Sequence, residues 1–377
     1  MYEKQIVARD EGQRLDKYLQ KILPNASTSF LYKMLRKKNI TLNKKKAFGS
    51  EKLSDGDLIQ IFFSDETLAK FMGHSVSYKD SYPATASSST GNINQDSLQC
   101  NKPSIHYKRN AVEIVYEDPD YFFLNKPAGM LSQKSKENDY SINEWILDYL
   151  LDTEQIQKED LQSFRPSICN RLDRNTSGLI LAAKSLKGAQ FLSEQLAKRS
   201  PEKYYLTLVE GILQEPLLLQ GYLKKDTKKN KVQVFKKATQ ISGADKSSSE
   251  DQQISKSNLD DGAYIETAYT PLYHTEAYTL LKVHLITGKS HQIRAHLASI
   301  GHPIVGDSKY GDTGGADKLF DKYVLRYHLL HAYQISFPEK EMESENDSGT
   351  SICGKTFYAN LPKLFQDILQ DVGYSLS

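Results

Sequence analysis

The chain has little cysteine, a single tryptophan and no long apolar run, and these shortages remove whole classes of protein. Its three cysteines, Cys100, Cys169 and Cys353, are too few and too far apart for a disulfide framework or a zinc cluster. Such sparse use points to a reducing compartment, the cytoplasm. No apolar stretch approaches the roughly 20 residues that a membrane-spanning helix needs. Met1-Tyr2-Glu3-Lys4 opens the chain without the apolar core of a signal peptide. Glycine-rich phosphate loops are missing, as is Gly-x-Ser-x-Gly, which sets aside nucleotide hydrolases and serine hydrolases. An excess of one charge is missing too, since 49 basic residues face 47 acidic ones. Only the distribution of charge can then speak about a partner.

Hydrophobic residues supply 39% of the chain and charged residues 25%, which fits a globular protein with loose segments. At 377 residues, two domains are expected. Residues 1–65 read as the first. Leu15, Leu19, Ile22 and Leu23 line one face of a helix, and Pro24-Asn25-Ala26 breaks it. Ser27 caps a second helix over residues 29–38, with Phe30, Met34 and Leu35 facing inward. Ile40-Thr41-Leu42 and residues 58–63 read as strands. Between Tyr32 and Ser50 stand Lys33, Arg36, Lys37, Lys38, Lys44, Lys45 and Lys46, with no acid among them. So basic a helix-to-strand corner is either a solvated face or a surface for phosphates.

Residues 66–110 read as a flexible linker, because Ser-Ser-Ser-Thr-Gly-Asn and its neighbours are too polar to form a core. The second domain, 111–377, opens with strands at 112–116 and 121–125 that pair as a hairpin. Helices are expected at 142–151, 186–199 and 290–300, the last stopped by Gly301, with a C-terminal helix from Leu361. Strands are expected at 203–209, 264–269, 281–285 and 329–337. Polar stretches near 237–261 and 339–350 read as disordered insertions. Strands outnumber helices and mostly pair locally, so the fold class is α+β.

One stretch stands apart. Asn170-Arg171-Leu172-Asp173-Arg174-Asn175-Thr176-Ser177 is polar, and Gly178-Leu179-Ile180-Leu181-Ala182 behind it is an apolar run of the kind that forms a buried strand. A charged loop joined to a core strand is a common seat of chemistry. This one is not a phosphoaspartyl loop, in which the strand precedes the aspartate and an acid follows two residues on; here the strand follows, and Asn175 holds that position. His284, His291, His296 and His302 do not space as metal ligands, since only His291 and His296 share a helix, on different faces. What remains is one carboxylate, Asp173, with surplus arginines: Arg165, Arg171 and Arg174 near it and Arg294 on a later helix. By itself that is either a structural ion pair or a catalytic acid.

The order of helix, helix, basic turn, Ile-Thr-Leu-Asn and Leu-Ser-Asp-Gly-Asp-Leu-Ile, over about residues 12–63, resembles the small RNA-binding domain named after ribosomal protein S-four. The stretch from Asn170 to Lys184 resembles the catalytic signature of the RluA-type pseudouridine synthases. Lys126-Pro127-Ala128-Gly129, Lys203 to Gly211, Thr287 to Leu297 and Gly301 to Asp307 resemble, in order, that family's early loop, tyrosine strand, late basic helix and following loop. Asn170, Asn175 and Lys289 stand where the family often has His, Asp and Arg.

The resemblance implies a mainly antiparallel, mixed-sheet catalytic domain behind a small α/β RNA-binding module. It implies an isomerase that needs no cofactor and no metal. The bond from ribose C1′ to uracil N1 breaks, the base turns, and C5 bonds to C1′. Asp173 is then the catalytic carboxylate, attacking the sugar or removing a proton from it; Arg294 is its ion-pair partner, and Tyr205 packs on the target base. Arg171 fills the gap left by that base, which must flip because its reacting atoms are hidden in a stack. RNA contacts are expected from Arg171, Arg174, Lys289 and His291, and from Lys33, Arg36, Lys37, Lys38, Lys44 and Lys45 on the first module. Ribosomal RNA is the expected partner, transfer RNA the other candidate, and a monomer away from membranes the default. The alternative is a ribosome-associated RNA-binding or assembly protein that has kept the fold without the chemistry.

Overall fold

The structure, a computed structural model, describes residues 1–72, 112–226, 231–236, 262–311, 318–339 and 351–374. The chain divides into two compact units. One holds Met1–Lys108, Ile146–Ser167 and Ala183–Gln190; the other holds Arg109–Trp145, Ile168–Ala182 and Phe191–Ser377. Among the described residues no helix is long and apolar enough to cross a membrane.

The first unit contains β1 (Tyr2–Gln5), α1 (Leu15–Ile22), α2 (Thr28–Arg36), β2 (Ile40–Leu42), β3 (Lys45–Lys46), β4 (Leu58–Ile61) and α3 (Asp65–Met72). Its strands form an antiparallel sheet in the order β1-β4-β2-β3. Leu15, Leu19 and Ile22 recur at helical spacing, so α1 buries one complete face. The Ser27 hydroxyl caps α2, accepting from the Phe30 N–H at 3.3 Å. The sequence reading starts a linker at residue 66, but residues through Met72 are helical. Leu68, Phe71 and Met72 recur at helical spacing and pack on the module's core, with Phe71 4.5 Å from Phe30 between ring centroids. The remainder of that linker lies outside the described residues.

Residues 158–163 are bonded to the same module. The buried Asp10 carboxylate accepts from Gln13 and from the Ser163 hydroxyl, both at 3.0 Å. The Lys21 ammonium donates to the Ser163 carbonyl at 2.8 Å, and Arg9 pairs with Asp160. A boundary drawn from composition cannot register long-range bonds of this kind, which is why residues 146–167 group with the first unit.

From residue 112 the chain forms β5 (Glu113–Glu117), β6 (Tyr121–Lys126), α4 (Ile142–Asp152), β7 (Ser167–Ile168), β8 (Ser177–Ala183), α5 (Leu186–Lys198), β9 (Glu202–Glu210), β10 (Leu217–Asp226) and β11 (Lys231–Lys236). It continues with β12 (Ala263–His274), β13 (Tyr278–Leu285), α6 (Gln292–Ser299), α7 (Lys318–Tyr323), β14 (Leu330–Ser336), β15 (Thr356–Tyr358) and α8 (Lys363–Asp371). Eleven strands make one sheet, ordered β11-β10-β12-β13-β9-β14-β8-β6-β5, with β15 on β14 and β7 on β8. The pairs from β11 through β14 are antiparallel, whereas β14 and β8 run parallel. This is the α+β class that the sequence indicates. On one face, Phe365, Ile368 and Leu369 of α8 pack against Leu206 and Leu208 of β9 and Leu280 of β13. The insertion read at 237–261 lies outside the described residues, as does the one read at 339–350 apart from Glu339.

Every residue of β8 is buried, as its unbroken apolar run requires. Gly178 sits at φ +111°, and a Cβ there would fall 2.2 Å from the Ala332 carbonyl oxygen of β14. Only glycine permits both the backbone conformation and the approach. Gly178→Ala is therefore expected to destabilise the protein by about 3 kcal/mol, through strain and displacement of β14. An unchanged urea midpoint would contradict this close approach.

Candidate active site

The loop before β8 is held at nearly every residue. The Ser132 hydroxyl donates to the Leu172 carbonyl at 2.7 Å and accepts from the Leu172 N–H at 3.1 Å. The Asn170 side-chain oxygen accepts from the Leu181 N–H at 2.7 Å. Lys126 is fully buried, and its ammonium donates to the carbonyls of Pro127, Met130 and Arg174 at 3.0, 2.9 and 3.1 Å. Three carbonyls match the three donors of an ammonium. Burial pulls the Lys126 pKa down to about 7, and the charge of Asp173 opposes that pull. Thr176 and Ser177 hydroxyls each lie 2.9 Å from a buried imidazole nitrogen, of His328 and His331 respectively. Burial first of all lowers both histidines to about 4, so they are neutral supports.

With Leu172 and Arg174 pinned on either side, Asp173 projects into a cleft and keeps 26% of its side chain exposed. Arg294 reaches it from α6: Nη1 donates to Asp173 Oδ2 at 3.0 Å. The same guanidinium grips Asp307 with two bonds, Nε to Oδ2 at 2.7 Å and Nη2 to Oδ1 at 2.8 Å. Burial disfavours the Arg294 cation, but the bonds and charges of Asp307 and Asp173 outweigh it and raise its pKa. Burial likewise opposes the Asp307 anion, and the bonds from Arg294 overcome this and hold its carboxyl below the usual range. One buried cation thus serves two carboxylates, one sealed and one facing the cleft. Tyr205 of β9 lines the same cleft and is 8% exposed. Burial and then the Asp173 charge push its hydroxyl pKa up, so it stays protonated.

A family model described as RNA pseudouridylate synthase matches residues 120–299, which include this loop, Tyr205 and Arg294. The ribosomal large subunit pseudouridine synthase C of Vibrio cholerae is 27% identical over 352 residues, with 88% of each chain covered. Its counterpart from Pasteurella multocida is 29% identical over 348 residues, covering 88% of this chain and 84% of that one. The chain is an RNA pseudouridine synthase. Its fold is also that of human RNA pseudouridylate synthase domain containing 4, with a TM-score of 0.53 at 20% identity, covering 70% of this chain and 94% of that one.

In the synthase, Asp173, Tyr205, Arg294, Arg171, Arg174, Lys289 and His291 all line one cleft of about 710 Å3. That is ample for a single nucleotide. Arg171, Arg174 and Lys289 are exposed, while His291 is half-buried, with Nε2 at 3.8 Å from Asp173 Oδ2. Lys33, Arg36, Lys37, Lys38, Lys44 and Lys45 are all exposed and belong to the first unit, around the end of α2 and β3. Cys169 also lines the cleft, but burial raises its thiol pKa to about 11, which leaves it unreactive. Among the described residues no three His, Cys, Asp or Glu side chains gather as a metal site.

Sequence reasoning gave no role to Asp307, Lys126, Ser132, Tyr310 or His328. Asp307 and Lys126 lie in stretches that carried the family resemblance, so a signal existed without a function attached. Nothing near Ser132 or His328 in the chain advertises a partner 40 or 152 residues away.

Proposed function

We propose that the synthase converts uridines of large-subunit ribosomal RNA to pseudouridine, with Asp173 as the carboxylate that works on the ribose. The reading rests on one observation above the others: Asp173 faces an open cleft while its counter-cation, Arg294, is buried and anchored from behind by Asp307. That arrangement sets a carboxylate against a fixed, buried cation and open to a substrate, as either attack on C1′ or proton removal requires. Tyr205 packs on the flipped uracil, and Arg171 takes the place vacated in the RNA stack. Arg174 and Lys289 bind phosphates at the rim. The first unit is an S-four-like module, and the enzyme is a cytoplasmic monomer.

The direct test uses RNA tritiated at uracil C5. When C5 bonds to C1′, its hydrogen leaves, so each turnover releases tritium to water. Ribosomal RNA from cells lacking the protein is the expected substrate. Release from transfer RNA alone would move the substrate assignment; release from neither, with RNA still bound, would favour the silent RNA-binding alternative.

A second expectation concerns the basic corner of the first unit. Substituting Lys37, Lys44 and Lys45 by Gln should weaken RNA binding and reduce the slope of log affinity against log salt by about 3, roughly one per phosphate contact. Turnover at saturating RNA should hold. A slope equal to that of the unaltered enzyme would leave those lysines as a solvated face only.

A further inference from the structure

His291 stands where α6 begins, and it fits poorly there as a residue chosen for the fold. Its backbone is left-handed, with φ 58° and ψ 15°. That region is uncommon outside glycine, with Asn, Asp and His the residues that most often enter it. Its side chain makes no capping bond to the helix, although the position favours Ser, Thr, Asp and Asn. Gln292, the first helical residue, instead ties down the loop before it: its Oε1 accepts from the Lys289 N–H at 3.1 Å and from the Thr287 hydroxyl at 2.9 Å.

The imidazole spans two other groups. Nδ1 lies 2.9 Å from the Tyr310 hydroxyl, and Nε2 lies 3.8 Å from Asp173 Oδ2. The Tyr310 oxygen accepts from the Val232 N–H of β11 at 3.0 Å. Its ring meets the imidazole edge-on, at 5.7 Å between centroids, and lies 5.1 Å from the Arg294 guanidinium. A left-handed residue whose side chain serves a cleft and not its own helix is a mark of function.

We infer that His291 is a positioning residue of the isomerisation: anchored at Nδ1 by Tyr310, it aims Nε2 at Asp173 Oδ2, 3.8 Å away and so not yet bonded, and closes on that oxygen, which Arg294 already holds, when RNA is bound, leaving Oδ1 to the substrate. The inference rests on the reading of Asp173 as the reacting carboxylate. When the Tyr310 hydroxyl donates to Nδ1, the neutral ring carries its proton on Nε2. Burial lowers the pKa of the ring; Asp173 opposes that, while Arg294 and Lys309 add to it. In that complex two donors on one oxygen would fix the plane of the carboxylate. Arg294 alone would fix only its distance.

The test compares His291→Asn, His291→Gln and Tyr310→Phe in the full chain. Asparagine tolerates the left-handed backbone and can cap the helix, so Tm should hold or rise. It cannot reach Tyr310 and Asp173 together, so kcat should fall about 10- to 100-fold, the weight of a hydrogen bond to a charged group. KM for RNA should stay within about threefold, because phosphate contacts dominate affinity. Glutamine, whose longer amide N–H reaches towards Asp173, should recover part of the rate. Tyr310→Phe should slow wild type by less, and should cost nothing further when added to His291→Asn. A His291→Asn enzyme with wild-type kcat would overturn the inference, as would a raised KM at unchanged kcat, which would make His291 an RNA contact. A fall in Tm matched by the fall in rate would make it a structural residue and overturn it equally. Failure of the broader reading is distinguishable, because then the wild-type enzyme would itself release no tritium.

Discussion

Asp173→Asn is expected to lower single-turnover pseudouridine formation by at least about 10⁴-fold, the scale on which removal of an essential reacting group registers. The substitution preserves shape, and its amide oxygen can still accept from Arg294. What it removes is the negative charge, and neither attack on C1′ nor removal of a sugar proton proceeds without it. RNA binding should change by about twofold at most, since phosphate contacts at the rim dominate affinity. The fold should also survive, because Asp307 continues to neutralise Arg294 through two bonds. Tritium release and filter binding on the same preparation check both halves. Turnover within tenfold of wild type would remove Asp173 from the reacting position.

How much of this was legible in the sequence depends on whether a feature is local or distant. The apolar run from Gly178 declares a buried strand by itself, and β8 is buried at every residue. The helices at Leu15 and Thr28 follow from spacing and from the Ser27 cap, both short-range. Strands β10 and β11 were not anticipated: β11 is the sheet's edge strand, and its neighbour β10 finds its other partner, β12, only beyond residues 237–261. The charge pattern around Asp173 was visible as an excess of arginine, but the arrangement that neutralises it was not. Asp307 lies 13 residues from Arg294, within a loop that reads as a turn, and its carboxylate has no exposed area at all. Burial of a charge can be inferred only once both partners are placed. His291 was seen as one basic residue among several, because a left-handed φ at a helix start leaves no trace in composition.

The second large expectation concerns that hidden pair. Asp307→Ala should destabilise the protein by about 3–5 kcal/mol, because it leaves Arg294 buried with a single, partly exposed partner. Activity should fall as well, since the guanidinium loses the two bonds that set its direction and is drawn wholly towards Asp173. Arg294→Met should be as damaging for the opposite reason: Asp307 would then be a buried anion with no counter-cation, and it would be protonated or the site would open to water. The double variant Arg294→Met with Asp307→Ala should be less destabilised than the sum of the single changes, by about 2 kcal/mol, while remaining inactive. Stability and catalysis would then separate within one cycle. The acid side offers an independent reading. Asp307 has its folded pKa held below the ordinary value, so the stability it contributes is fully present above about pH 4 and is lost as pH falls through the lower folded value. In urea titrations from neutral to acid pH, the double variant should lack that part of the decline. A wild-type-like acid slope in the double variant would mean that the pair supplies position without contributing stability.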